Sequence, residues 1–205
     1  AHIDVTFRGD HPKYGVRTYA EERHDGFPPT IIAAVDALSA WGLDTRAASL
    51  FRYWLAHFVN DDGCIRYYGP AISEYGQLLH TAALIEERCG IDGWWRDSFN
   101  ALDRIAEYLL ALRADAAGSD GLIAGVPEAD TRKVVRKYFH NNAWVAKGLG
   151  RWADLCERRA AAPRTSAAAI RTAGQSLGRD TLRAISDAWP ARPGHWWLRP
   201  HVEPA

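Results

Sequence analysis

Apolar residues recur at intervals of three and four along six stretches of the chain, which is the spacing that places them on one face of an α-helix. The first predicted helix begins at Thr30, directly after two prolines, and Gly42 ends it. The second takes Asp44 as its N-cap and continues to about Phe58. Because only a few residues separate these two helices, they are predicted to form an antiparallel hairpin.

The connections between the predicted helices alternate in length. The other four helices are predicted over residues 73–89, 94–113, about 140–155 and 166–189, with Ser73 as the cap of the first of them. The connections within each pair are short, whereas those between pairs are long. In a series of hairpins the long connections fall on the same face, which is where function usually resides.

This pattern predicts an all-α fold of about three antiparallel helix hairpins with long loops on one face. It is predicted as one domain over residues 1–205, with an N-terminal lead-in over 1–22 and an irregular tail over 190–205. The long connection 114–140 contains several Gly and Pro residues and shows no helical period, so it is predicted to be a loop.

Composition and charge narrow the function classes. Twenty-five basic and twenty-five acidic residues give a formal net charge of zero, which disfavours a nucleic-acid partner. No apolar run is long enough for a membrane span, and no secretory signal is present. A soluble protein is therefore expected, with the cytoplasm slightly favoured, although a chain that begins with Ala leaves the compartment open. The three cysteines are widely spaced and are interpreted as free thiols.

Polar and aromatic residues cluster at the starts of the first, third and fifth helices. The chain has nine Trp and eight Tyr, whose flat apolar faces and hydrogen-bonding groups suit sugar rings. The candidate binding residues in the three clusters are Arg23, His24, Tyr67, Tyr68, Tyr75, Gln77, Arg132, Tyr138, His140, Asn141 and Asn142. Ordinary helix capping is the alternative explanation for polar residues at these positions.

Four carboxylates accompany these clusters, namely Asp25, Glu74, Glu128 and Asp130. Cleavage of a glycosidic bond needs two carboxyl groups, one to protonate the leaving oxygen and one to activate water or attack the anomeric carbon. Metal chemistry is disfavoured because the histidines are scattered, and no calcium loop, phosphate loop, dinucleotide fingerprint or serine nucleophile elbow is present. No cofactor is predicted.

Four stretches of the chain, 24–29, 73–76, 121–130 and 140–144, together resemble motifs of the six-hairpin glycosidase superfamily. The resemblance covers residues 23 to 155 and implies an (α/α)6 toroid whose inner helices surround a sugar pocket, often with inverting hydrolysis. It implies Glu128 as the general acid, with Asp130 second, and Asp25 and Glu74 as water activators or hydroxyl ligands. Arg132, Tyr75, His140, Asn141 and Asn142 would orient the sugar.

The number of helices departs from this resemblance. A complete (α/α)6 toroid has twelve helices, whereas the sequence predicts about six, or half of the ring. An open arc of three hairpins exposes an apolar inner rim. Either the missing half has been cut away or lies on another chain, or the protein is a degenerate half-barrel that forms a homodimer.

Two other functions compete with the glycoside hydrolase, whose partner is an oligosaccharide or glycoside. A toroidal polysaccharide lyase or sugar epimerase would use Tyr138, His140 and Asn141 for proton abstraction, whereas the paired carboxylates favour hydrolysis. A non-catalytic helical module would bind a glycan or a protein partner without turnover.

Overall fold

The structure is a computed structural model that describes residues 3, 6–13, 25–65, 67, 71–89, 93–116, 120–126, 134–189 and 201–202. The described part contains a two-stranded antiparallel sheet, β1 (Phe7–Arg8) and β2 (His11–Pro12), and six helices. The helices are α1 (Pro28–Ala40), α2 (Asp44–Phe58), α3 (Ile72–Cys89), α4 (Trp94–Asp115), α5 (Phe139–Arg158) and α6 (Ala167–Ala188). The all-α prediction is confirmed, while the small sheet was not predicted.

The predicted helix starts are corrected at three places. Helix α1 begins at Pro28 rather than Thr30. Proline is tolerated in the first turn because the backbone N–H groups of that turn have no partner within the helix, so the N–H that proline lacks is not missed. Asp44 is the first residue of α2 and not its N-cap, a position held by Leu43 without a side-chain hydrogen bond. Ser73 likewise lies inside α3 and is not its cap.

The last helix agrees closely with its prediction. Ser166 is the N-cap of α6, and its side-chain oxygen accepts a hydrogen bond of 3.3 Å from the backbone N–H of Ala169. Trp189 is the C-cap. Helix α4 continues two residues beyond its predicted end, to Asp115.

The chain divides into two compact units, each of which is described by itself. Unit 1 comprises residues 1–67 and 78–108, and unit 2 comprises residues 68–77 and 109–205. The prediction of one domain over the whole chain stays a prediction.

Unit 1 is built around the contact between α1 and α2, joined by residues 41–43. The apolar positions that predicted α2 are all buried, and they are Ala47, Leu50, Phe51, Trp54, Leu55 and Phe58. Helix α1 ends at Ala40, and Trp41, its C-cap, is 76% exposed. The β1–β2 turn is held against α2, since Asp10 accepts hydrogen bonds from Arg46 and Ser49.

Unit 2 contains an antiparallel hairpin of α5 and α6. Arg171, near the start of α6, binds Asp154 near the end of α5, while Gly174 lies against the backbone of Ala146, earlier in α5. The pairing therefore runs in opposite directions along the two helices, as predicted for the third hairpin. Within the described ranges, no helix is long and apolar enough to cross a membrane.

Candidate functional site

Buried polar side chains mark the starts of α1, α3 and α5. Asp25 lies just before α1 and is 1% exposed, Glu74 lies in the first turn of α3 and is also 1% exposed, and Asn141 in the first turn of α5 is fully buried. In contrast, the side chain of Asp97 in the first turn of α4 is 61% exposed. Carboxylates are rarely buried completely unless they are paired or functional. Asp25 and Glu74 therefore occupy unusual environments for carboxylates, while Asn141 is a fully buried amide.

Asp25 is held in unit 1 by two basic groups from the N-terminal segment. Its Oδ2 atom accepts a hydrogen bond of 2.8 Å from Lys13 Nζ and lies 3.1 Å from His11 Nε2. The other nitrogen of His11, Nδ1, lies 3.1 Å from the hydroxyl of Tyr53 on α2. Asp25 is thus not a simple helix cap but the buried end of a chain of polar side chains.

Sequence reasoning missed His11, Lys13 and Tyr53. Residues 1–22 have no helical period, and strands of two residues are too short to show alternation, so nothing in the pattern placed His11 beside Asp25. Tyr53 occupies a polar position on an amphipathic helix, where exposure was the ordinary expectation. The contact between Asp25 and His11 depends on the β1–β2 turn, which only the structure reveals.

Tyr67, predicted as a binding residue, packs against the residue that precedes α1. Its ring centroid lies 5.2 Å from that of Phe27, with the planes tilted by 42°. Tyr67 is half-buried, so part of its surface stays accessible in unit 1.

Glu74 lies in unit 2 beside Ser73. The hydroxyl of Ser73 donates a hydrogen bond of 2.8 Å to Glu74 Oε2, and both side chains are buried. Tyr75, the next residue, is also buried, whereas Gln77 is half-buried. The carboxylate is therefore enclosed within the first turn of α3.

Asn141 meets the residues that precede Glu74 through a shared backbone segment. Ala71, directly before α3, forms a parallel bridge with Val126, and Asn141 Nδ2 donates a hydrogen bond of 2.9 Å to the carbonyl oxygen of Val126. Asn141 Oδ1 is buried and accepts no hydrogen bond from the residues that the structure describes. The starts of α3 and α5 thus meet at Val126.

Asn142, the neighbouring residue, is committed to the backbone. Its Oδ1 accepts from the N–H of Ile123 at 2.8 Å, and its Nδ2 donates to the carbonyl oxygens of Ile123 at 3.0 Å and Tyr138 at 2.9 Å. The side chain is fully buried. We conclude that Asn142 holds the 120–126 segment against the start of α5, and its predicted role in binding stays untested.

Tyr138, His140 and Asn141, the residues that a lyase would use, lie in surroundings that differ from one another. The hydroxyl of Tyr138 donates to the carbonyl oxygen of Val134 at 3.2 Å, and its ring meets His201 edge to face. His140 is exposed, whereas Asn141 is buried. No hydrogen bond among the described residues joins these three side chains.

Several predicted site residues lie outside the described residues, and these are Arg23, His24, Tyr68, Glu128, Asp130 and Arg132. Asp25 belongs to unit 1, and Glu74 and Asn141 belong to unit 2. The convergence of all three clusters on one face therefore stays a prediction.

No group of three or more His, Cys, Asp or Glu side chains in the described ranges is arranged to hold a metal ion. Searches against protein-family models, curated proteins and solved structures found no match for this chain.

Proposed function

We propose that this protein is a glycoside hydrolase whose helix hairpins form half of an α/α toroid. The observation that carries the proposal is the buried carboxylate of Glu74, connected through Ala71 and Val126 to the buried amide of Asn141. The stretch containing Glu128 and Asp130 begins two residues after Val126. One backbone segment therefore links the starts of two helices to the two strongest candidates for the general acid.

Glycosidic hydrolysis assigns distinct roles to these groups. Glu128 is the proposed general acid, with Asp130 as the second candidate, and Glu74 activates water or binds a sugar hydroxyl. Asn141 Oδ1 is an acceptor for a sugar hydroxyl, because its amide nitrogen is already engaged with Val126. A buried acceptor of this kind favours a ligand that supplies an O–H group.

Asp25 suits a charged role rather than that of the acid. Lys13 and His11 both contact the same oxygen, and a neighbouring ammonium group stabilises the ionised carboxylate. A general acid must instead retain its proton near neutral pH. Asp25 is therefore assigned to hydroxyl binding or water activation.

The central experiment incubates the chain with a panel of oligosaccharides and resolves the products by mass spectrometry. New reducing ends support the hydrolase. Unsaturated products would identify a lyase, and retention of sugar without cleavage would identify a binding module, so either result contradicts the proposal. Glu128→Gln should abolish cleavage, and undiminished hydrolysis by this variant would remove Glu128 from the role of acid.

A matched pair of variants tests Glu74. Glu74→Gln should lower kcat by at least about a hundredfold, the scale of a lost acid–base group. Glu87→Gln makes the same chemical change at an exposed position of the same helix and should leave kcat unchanged. An equal effect of both variants would show that α3 tolerates neither change and would not support a role for Glu74 in the reaction.

The half-toroid arrangement implies a second set of hairpins. We infer that a second copy of the chain completes the ring, since three hairpins are half of those in an (α/α)6 toroid. Light scattering combined with size-exclusion chromatography should give the mass of a dimer in fractions that cleave oligosaccharide. Activity confined to monomeric fractions would contradict this arrangement.

A further inference from the structure

Tyr53, His11 and Asp25 form a continuous chain of hydrogen bonds in unit 1. The Tyr53 hydroxyl lies 3.1 Å from His11 Nδ1, and His11 Nε2 lies 3.1 Å from Asp25 Oδ2. The carboxylate is almost fully buried, the His11 side chain is 32% exposed, and Tyr53 is half-buried on α2. The chain therefore leads from a buried acid to the hydroxyl of a half-buried tyrosine.

The hydrogen-bond partners determine which nitrogen of neutral His11 carries the proton. Asp25 is only an acceptor when ionised, so Nε2 must carry the hydrogen that it donates to Oδ2. Nδ1 is then unprotonated and accepts from the Tyr53 hydroxyl. Lys13, at 2.8 Å from the same Oδ2 atom, favours the ionised carboxylate and so maintains this orientation.

In a catalytic triad, the nucleophile is hydrogen-bonded to a general base, and an acidic side chain orients that base through a second hydrogen bond. We propose that Tyr53, His11 and Asp25 form a catalytic centre that hydrolyses aryl esters, with Tyr53 as nucleophile, His11 as general base and Asp25 as the positioning residue. The centre shares Asp25 with the proposed glycosidase, but it breaks a different bond and uses a different nucleophile, Tyr53, which has no role in the proposed glycosidase.

The reaction proceeds in two steps. As the Tyr53 oxygen bonds to the ester carbonyl carbon, His11 Nδ1 takes the hydroxyl proton; the bond to the aryloxy group then breaks, and the aryl oxygen leaves with that proton. Water next attacks the acyl-tyrosine, His11 takes a proton from it, and the Tyr53 oxygen leaves with that proton. The products are a carboxylic acid and a phenol, and the side chains return to their initial state.

The chemistry of tyrosine limits the class of substrate. Tyr53 is itself a phenol, so the tetrahedral intermediate expels whichever of the two oxygens is less basic. An alkyl ester would expel Tyr53 and regenerate the substrate, whereas an aryl ester with a more acidic phenol transfers its acyl group. The proposal therefore predicts cleavage of aryl esters and not of simple alkyl esters.

The test uses p-nitrophenyl acetate and the full 205-residue chain. We expect an initial burst of nitrophenol close to one equivalent, with the acetyl group located on Tyr53 by peptide mass spectrometry after an acid quench. Ethyl acetate should give no turnover. Acetyl found mainly on lysine or on another residue would overturn the proposal, and this measurement requires no variant.

Variants then separate the roles of the three residues. Tyr53→Phe, which removes only the hydroxyl of a half-buried residue, should abolish the burst, while His11→Gln should slow it by about a hundredfold. Asp25→Asn should lower kcat at least about tenfold with unchanged KM and should still acetylate Tyr53. Circular dichroism of each variant verifies the fold.

Two further substitutions provide controls. Tyr108→Phe alters another partly exposed tyrosine of unit 1, and His57→Gln alters the exposed imidazole whose ring stacks on Tyr53 at 3.8 Å. Both variants should retain the burst. A burst that survives Tyr53→Phe, or that is lost with His57→Gln instead of His11→Gln, would assign the reaction to an ordinary surface nucleophile. Oligosaccharide cleavage is assayed separately, so its success or failure does not affect this result.

Discussion

Gly76 and Gly148 pack backbone against backbone in unit 2. A Cβ atom added to Gly76 would lie 2.2 Å from the carbonyl oxygen of Trp144, and one added to Gly148 would lie 2.3 Å from the carbonyl oxygen of Gly76. Only glycine permits this approach between α3 and α5. Because Glu74 is two residues from Gly76, the same contact sets the position of the candidate carboxylate relative to α5.

The first prediction concerns the cost of a methyl group at this contact. Gly76→Ala should lower the free energy of unfolding by about 2–3 kcal/mol, because the backbone of α5 must shift. Gly150→Ala is the control, since no atom lies within 4 Å of its added Cβ, and it should raise stability by up to about 1 kcal/mol through helix propensity. Urea denaturation measures both, and equal effects would contradict the close contact.

The second prediction separates two adjacent asparagines. Asn142→Ala should lower the free energy of unfolding by about 3 kcal/mol, because the N–H and carbonyl oxygen of Ile123 lose their buried partner. Asn141→Ala loses one hydrogen bond, to Val126, and should cost only about 1 kcal/mol while raising KM for oligosaccharide. Urea denaturation and oligosaccharide kinetics of both variants are compared with those of Asn100→Ala, a control that removes an exposed asparagine. A larger stability loss at Asn141 would reverse the two roles.

These residues also show what the sequence reveals about the fold and the site. The apolar period located α2 and its buried residues Leu50 and Trp54, because a helix must bury its apolar face. The same reasoning treated Asn141 and Asn142 alike, although the acceptor of Asn141 has no partner among the described residues, whereas Asn142 is hydrogen-bonded to backbone through both its oxygen and its nitrogen. That difference depends on the path of residues 120–126, which no local period encodes.

The third prediction concerns stability against pH in the α5–α6 hairpin. The hydrogen bond from Arg171 lowers the pKa of Glu157, so the folded state favours the ionised acid more than the unfolded state does. This contribution is fully present above the unfolded pKa of Glu157 and is lost as the pH falls through the lowered folded value. Melting temperatures of Glu157→Gln should therefore fall less steeply on acidification than those of the original chain. Asp187→Asn removes another exposed carboxylate and serves as the control. Parallel profiles of melting temperature against pH for Glu157→Gln and the original chain would contradict the prediction.

The fourth prediction compares two arginines that contact Asp180. Arg113 binds it with both side chains 16% exposed and also donates to Ser176 at 3.3 Å, whereas the side chain of Arg183 is 71% exposed. Removing one partner from a largely buried ion pair leaves the other charge poorly solvated, while an exposed pair is screened by water. Arg113→Ala should therefore cost about 3 kcal/mol in the free energy of unfolding, and Arg183→Ala less than about 0.5 kcal/mol. Urea titrations at low and high salt measure both, and similar losses for the two variants would show that burial does not govern this pair.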